Sequence, residues 1–270
     1  MKRVQLLFAV MMVIFAMTSC DKVKEPFVNE VEVSSKSIIL IEDYTGVKCV
    51  NCPAAAELAH KIQETYPENV LVLGVHAGDL AMPLDPNQDF RTEAGTAWWN
   101  YFEFAANPIG TINRTKNGDS YGYKKDSWSS AVSSLLIADD PIVKFKIQPI
   151  AYDTASREIE FKVKTTFLTE TEGNFYIFAC VMEDSIVGKQ KTPEGLVSDY
   201  MHRHVLRKAI NGSWGEELFN GTTEADFELE TEFSTTLDDK FNDKQCYVIA
   251  YVYDYNDKHI IQAAERKIIK

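Results

Sequence analysis

The sequence predicts a mixed α+β protein in two parts, an α/β domain over residues 37–140 followed by an all-β domain over 141–270. Three observations carry this. Apolar runs of strand length alternate with helix-period segments up to Pro141, and after it nearly every apolar run has strand length. The chain has 270 residues, 45% of them hydrophobic, which is enough for two cores.

Taken in order, residues 38–44 are apolar and of strand length, and residues 54–66 follow as a helix in which Leu58, Ile62 and Tyr66 recur at helical spacing. Residues 70–76 (Val-Leu-Val-Leu-Gly-Val-His) form a continuous apolar strand of the kind buried on both faces. Two strands joined by a helix make a βαβ unit, so the pair is parallel with a right-handed crossover. Residues 77–107 are a long insertion with Pro83, Pro86 and an aromatic, helix-like patch at Trp98, Trp99, Tyr101 and Phe102. A strand entered through Pro108 runs to Arg114, a turn at 115–118 and a short segment at 121–123 suggest a hairpin, and 125–138 reads as a closing helix. Beyond Pro141, seven strands are expected at 143–150, 158–166, 175–182, 202–208, 227–233, 246–253 and 259–266. Short strands at this spacing favour an antiparallel sandwich. The segments 185–198 and 211–223, rich in glycine, are expected as its longest loops and as places where it would bind a partner.

The first nineteen residues carry Lys2 and Arg3, then an apolar run from Leu6 to Met17, and read as an export signal. The run is too short to span a bilayer, which takes about 20 apolar residues. Met17-Thr18-Ser19-Cys20 resembles a bacterial lipobox, so Cys20 is the expected lipid attachment site and residues 20–36 a polar tether. The formal net charge is −12 and becomes more negative once Lys2 and Arg3 are removed, which makes nucleic acid a poor partner.

Of five cysteines, Cys49-Val50-Asn51-Cys52 is the informative pair, because it lies where the first strand gives way to the first helix. A thiol at a helix N-terminus faces free backbone N–H groups and the positive end of the dipole, which favours its thiolate. The placement is thioredoxin-like, and the β-α-β, β-β-α order of this half matches the same arrangement. One C-x-x-C supplies two of the four ligands a structural zinc needs, so no metal is expected, nor any cofactor. In an exported protein disulfides are allowed. Cys180 and Cys246 therefore either bridge two strands or are buried small hydrophobes. His202 and His204 would share one side of a strand and are expected to be ordinary polar residues.

Several stretches together resemble the family of 28-kDa-type outer-membrane lipoproteins: the lipobox, Ile41-Glu-Asp-Tyr-Thr-Gly46 leading into Cys49-Val-Asn-Cys-Pro53, Val75-His-Ala-Gly78, Pro108-Ile-Gly-Thr-Ile-Asn-Arg114, Glu183-Asp-Ser-Ile-Val-Gly188 and Tyr200-Met-His-Arg-His-Val-Leu-Arg207. The resemblance implies an outer-membrane, lipid-anchored protein with a thioredoxin-like domain followed by an Ig-like sandwich. Within the thioredoxin resemblance, Cys49 matches the attacking cysteine, Cys52 the resolving one, and Pro108 the cis-proline beside them. Asp43 falls where thioredoxins keep a buried proton-accepting carboxylate, with Glu42 as the alternative, since strand parity turns one of the two inward. His76 and Asn107 lie at the same end of the sheet as possible substrate contacts. Val50-Asn51 indicates no direction of electron flow, Lys48 would favour the Cys49 thiolate, and the insertion after His76 could cover the site. Two functions remain. One is thiol–disulfide exchange with protein thiols and disulfides. The other is a non-enzymatic surface lipoprotein that binds a protein or glycan and uses the Cys49–Cys52 disulfide as a staple.

Overall fold

The computed structural model describes residues 37–137 and 140–269, so the signal segment, Cys20 and the tether lie outside the described residues. The described residues belong to one compact unit. Strand β1 (Ile39–Thr45), helix α1 (Cys52–Thr65) and strand β2 (Val70–His76) make the expected βαβ unit, with β1 and β2 parallel from Ile39↔Val70 to Thr45↔His76. The insertion contains a short 3-10 turn at Asp79–Ala81 and helix α2 (Glu93–Tyr101), whose N-cap Thr92 accepts a hydrogen bond from the Gly95 N–H. Strand β3 (Ile109–Ile112) returns antiparallel to β1, and helix α3 (Trp128–Leu136) closes this half. The expected hairpin after β3 is reduced to the isolated bridges Gly110↔Tyr123 and Asn117↔Ser120.

The second half supplies β4 (Val143–Ile147), β5 (Ala151–Tyr152), β6 (Glu158–Phe167), β7 (Thr171–Glu183), β8 (Ile186–Thr192), β9 (Gly195–His202), β10 (Val205–Ala209), β11 (Glu216–Thr223), β12 (Phe227–Thr236), β13 (Cys246–Asp254) and β14 (Ile260–Lys267). Six of the seven expected strands are present with shifted ends, and the seventh, 202–208, is broken: His202 ends β9 and β10 begins at Val205. The two segments read as loops are not loops: 185–198 holds β8 and the first half of β9, which pair as a two-stranded hairpin, and β11 adds itself to the first part of β7. The sequence signal failed there because these strands are largely polar and half-exposed, and the buried positions of β8 are Gly188 and Gln190, so no apolar face imposes alternation.

Both halves contribute to one sheet, in the order β14-β13-β7-β10-β2-β1-β3, joined where β10 lies parallel to β2 at Val205↔Gly74 and the Gly74 N–H donates to the His204 carbonyl at 2.7 Å. A second sheet, β12-β6-β4 with β5, packs its apolar face (Ile147, Ile159, Phe161, Val163, Phe233) on Ile177, Ala179, Val181, Val248 and Ala250. Helices α1 and α3 cover the equivalent face at the other end of the large sheet, against Ile39, Ile41, Val70, Val72 and Ile112. Helix α2 packs on the opposite face, with Trp98 and Phe102 beside Leu40, Tyr44, Phe178 and Tyr251. Because β1 is covered on both sides, its residues from Ile39 to Tyr44 are all buried, acidic ones included.

Candidate functional site

The site is built where β1 ends. Thr45 leads through a short loop into α1, which opens at Cys52 with Pro53 beside it, a residue tolerated there because the first helical N–H groups have no intrahelical partner. Cys49 and Cys52 form a disulfide with 5.4 Å between their Cα atoms. Their residues are 2% and 1% exposed. The antiparallel register Tyr44↔Ile109 sets Pro108 level with Thr45, next to the point where the loop departs. The Asn107–Pro108 peptide is cis. Asn107 does not point outward. Its amide nitrogen donates to the carbonyls of Tyr44 (3.1 Å) and Ala77 (3.2 Å), tying the ends of β1 and β2 together.

Glu42 and Asp43 are both buried, which corrects the expectation that one of them turns away: β1 has no solvent face. They separate by chemistry instead. Glu42 points to the α2 side, where Arg114 donates to it at 2.6 and 2.9 Å and Thr111 at 2.6 Å. Asp43 points to the α1 side and borders a cavity of about 30 Å³ whose walls include Cys52, Pro53, His76, His202 and His204. One oxygen of Asp43 has no hydrogen-bond partner among the described residues. Burial pushes its carboxyl up to about 7, so near neutral pH it exchanges a proton readily. A cavity of this size has room for one or two waters, and polar groups interrupt its largely apolar walls.

The imidazoles around it are neutral. Burial lowers His76 to about 3, reinforced by the neighbouring His202 ring, whose centroid is 5.7 Å away. Burial likewise lowers His202 and His204 to about 4. His202 and His204 do not share a strand face as expected, because β9 ends at His202 and His204 takes a left-handed conformation with φ of 54°. Among the described residues no group of three His, Cys, Asp or Glu is arranged to hold a metal.

Two segments close over the disulfide. From the insertion, the Leu80 carbonyl accepts from the Lys48 N–H at 2.9 Å, and a Cβ on Gly46 would stand 2.5 Å from the Leu80 backbone. From the second half, the buried amide of Gln190 on β8 donates to the carbonyls of Cys49 (2.9 Å) and Gly46 (3.2 Å), while the Lys191 N–H donates to the Val47 carbonyl at 2.9 Å. Gln190 was missed at the level of sequence. The available signal was Pro193-Glu194-Gly195, a turn between two short segments bearing Ile186, Val187, Leu196 and Val197.

Cys180 and Cys246 are free and buried. A bridge between them is excluded by the sheet, since Cys180 faces the α2 side and Cys246 the second sheet. Burial raises both thiols, Cys246 to about 12, which leaves them unreactive.

The architecture is similar to that of HBP35 of Porphyromonas gingivalis, at a TM-score of 0.70 and 17% identity over 87% of this chain and 76% of that one. A protein from Agrobacterium tumefaciens aligns over 87% of this chain and 96% of its own, with a TM-score of 0.50 and 14% identity. A domain of the outer membrane lipoprotein Omp28 from Porphyromonas gingivalis shares 23% identity over 48% of this chain and 93% of that domain, with a TM-score of 0.33. No curated protein sequence matches. Among the described residues no helix is long and apolar enough to cross a membrane. The family model for outer membrane protein Omp28 matches residues 95–270, and on that match the chain belongs to the Omp28 family of outer membrane proteins.

Proposed function

We propose that this lipoprotein, anchored through a lipid on Cys20, carries a thioredoxin-like thiol–disulfide exchange centre in residues 37–140, joined to an Ig-like sandwich in 141–270. The observation that carries the proposal is Asp43, a buried carboxyl with an unpartnered oxygen, facing Cys52 across a small cavity. Such a group destabilises the fold, and a disulfide used as a staple has no need of it. An exchange centre does.

A thiolate of a protein dithiol attacks Sγ of Cys49. The S–S bond breaks, its electron pair leaves on Sγ of Cys52, and that sulfur takes the Asp43 proton across the cavity. The partner's second thiolate then attacks the partner sulfur of the mixed disulfide, and Cys49 departs as a thiolate favoured by the positive end of α1 and by the adjacent Lys48. The partner loses two electrons, and the Cys49/Cys52 pair gains them. A disulfide in a second protein takes them back by the reverse steps. Pro108 would flank the bound segment, with Asn107 holding the strand ends that shape its bed and His76 lining the cavity beside Cys52. No cofactor enters.

The burial of both sulfurs favours a second reading, a non-enzymatic lipoprotein that binds a surface protein or glycan and keeps Cys49–Cys52 as a staple. Titration of the full-length protein in glutathione buffers, with thiols trapped by alkylation, separates the two. Exchange requires a potential between about −120 and −270 mV, and one below about −300 mV marks a staple.

A further inference from the structure

The β8–β9 hairpin belongs to the second half of the chain, yet it lies over the disulfide of the first. It has little structure of its own to hold it. The two strands pair with each other as a separate two-stranded sheet, and Val187, Leu196 and Met201 on it are exposed. Isolated two-stranded hairpins are marginal in water. What fixes it is the packing of Ile186 on Val47 and Phe90 and of the His202 ring against Phe90 and His76, together with a small set of bonds to the active-site loop and the insertion. The Gln190 amide and the Lys191 N–H hold the carbonyls of Gly46, Val47 and Cys49, Gln88 donates to the Val187 carbonyl at 2.8 Å, and Lys189 pairs with Asp85 at 3.2 Å. Both bases of the hairpin contain a non-glycine residue in the left-handed region, Ser185 at φ 59° and His204 at φ 54°. Such residues are uncommon, and they bracket the hairpin as hinges do.

We infer that β8–β9 is a strap that gates the disulfide, with Gln190 as its catch. In the closed form described here the sulfurs are covered and unreactive. Release of Gln190 and Lys191 frees the Val47 carbonyl and one acceptor position on each of the Gly46 and Cys49 carbonyls, which keep their bonds from the Cys49 and Cys52 N–H groups, and it uncovers the disulfide at the same time. An extended polypeptide that presents its own N–H groups to those carbonyls therefore keeps the strap open while its thiol reacts. In its purpose this rests on the exchange reading, but its test does not, because any small thiol reports the opening.

The test is the rate at which dithiothreitol reduces Cys49–Cys52 in the full-length protein. One dithiothreitol thiolate forms a mixed disulfide with Cys49 and expels the Cys52 thiolate. The second closes the dithiothreitol ring and expels Cys49, so two electrons pass from dithiothreitol to the pair. Released thiols are counted by mass after alkylation in denaturant, where Cys180 and Cys246 add a constant. Gln190→Ala is expected to be reduced about tenfold faster than wild type at every dithiothreitol concentration, the effect of losing two neutral hydrogen bonds from the closed form. Should Gln190→Ala fold poorly, the double change Gln88→Ala, Lys189→Ala removes the outer contacts instead and is expected to accelerate reduction about threefold. Rates within a factor of about two of wild type in a folded variant overturn the strap. Faster reduction in the variant with no transfer to a peptide disulfide in either protein keeps the strap and removes the exchange reading.

Discussion

Glu42 meets a guanidinium and Asp43 meets imidazoles and a disulfide, although the two are adjacent and equally buried. The difference has a measurable consequence. The Asp43 carboxyl is raised by burial from 3.8 to about 7, so the folded protein holds its proton more tightly than the unfolded chain does. The sign follows from linkage. Below about pH 4 both states are protonated and Asp43 costs nothing. The cost grows as pH rises from about 4 to about 7 and is constant above, at about 4 kcal/mol for a shift of this size. Asp43→Asn is therefore expected to stabilise the oxidised protein by about 2–4 kcal/mol at pH 8 and by little at pH 3.5, as read by urea denaturation at the two values. The same change is expected to slow thiol exchange and to remove an inflection near pH 7 from its pH profile. A variant that is no more stable at pH 8 would show that water already satisfies the carboxylate. From sequence alone, the C-x-x-C spacing and its place before a helix pointed to the disulfide. The thioredoxin resemblance named Asp43 ahead of Glu42, but that both are buried was not legible, because alternation assigns residues to faces and says nothing about whether a face is wet.

At the scale of elements, strands with a buried face were readable. The run 70–76 has the bounds of β2, and the apolar runs after Pro141 each correspond to a strand. The strands that escaped are those stabilised from outside themselves. β8 and β9 hold each other and a loop far off in sequence, and β11 lies on the edge of β7, so neither needs a hydrophobic period. Their placement depends on contacts between residues more than a hundred positions apart, such as Gln190 with Cys49. The loop they cover is shaped by glycine. At Gly46 an added methyl group would fall on the backbone of Leu80 and Ala81, atoms that cannot rotate away. Gly46→Ala is expected to push the insertion off the loop, to lower stability by about 2 kcal/mol or more, and to raise the rate at which small thiols reach the disulfide. Thermal melting and dithiothreitol reduction of the same variant check both. A melt unchanged from wild type would mean that the insertion yields at no cost.

At the scale of the whole molecule, the boundary at Pro141 marks where helices give way to strands, yet the cores do not part there. Arg114, from the first half, is fully buried between the two. Its guanidinium is held by Glu42 and by the Tyr251 hydroxyl at 2.8 Å, and lies over the rings of Trp98 at 4.7 Å and Tyr251 at 5.1 Å. Trp98 in turn donates to the Ser213 carbonyl at 2.6 Å. With the sheet continuous from β3 to β14 and this charge sealed between the halves, neither half can open without exposing the other. Urea denaturation is therefore expected to show one transition, the same by far-ultraviolet circular dichroism and by tryptophan fluorescence, with Trp98, Trp99 and Trp128 in the first half and Trp214 in the second. Glu42→Gln leaves the guanidinium buried without its counter-charge and is expected to cost about 3–5 kcal/mol. The double change Glu42→Leu, Arg114→Met removes both charges and is expected to recover most of that loss, since a buried pair contributes little over an apolar replacement of similar size. Two separated transitions in wild type would show that the halves fold as independent domains. A Glu42→Gln variant as stable as wild type would show that the surrounding rings and the Tyr251 hydroxyl suffice to hold the cation.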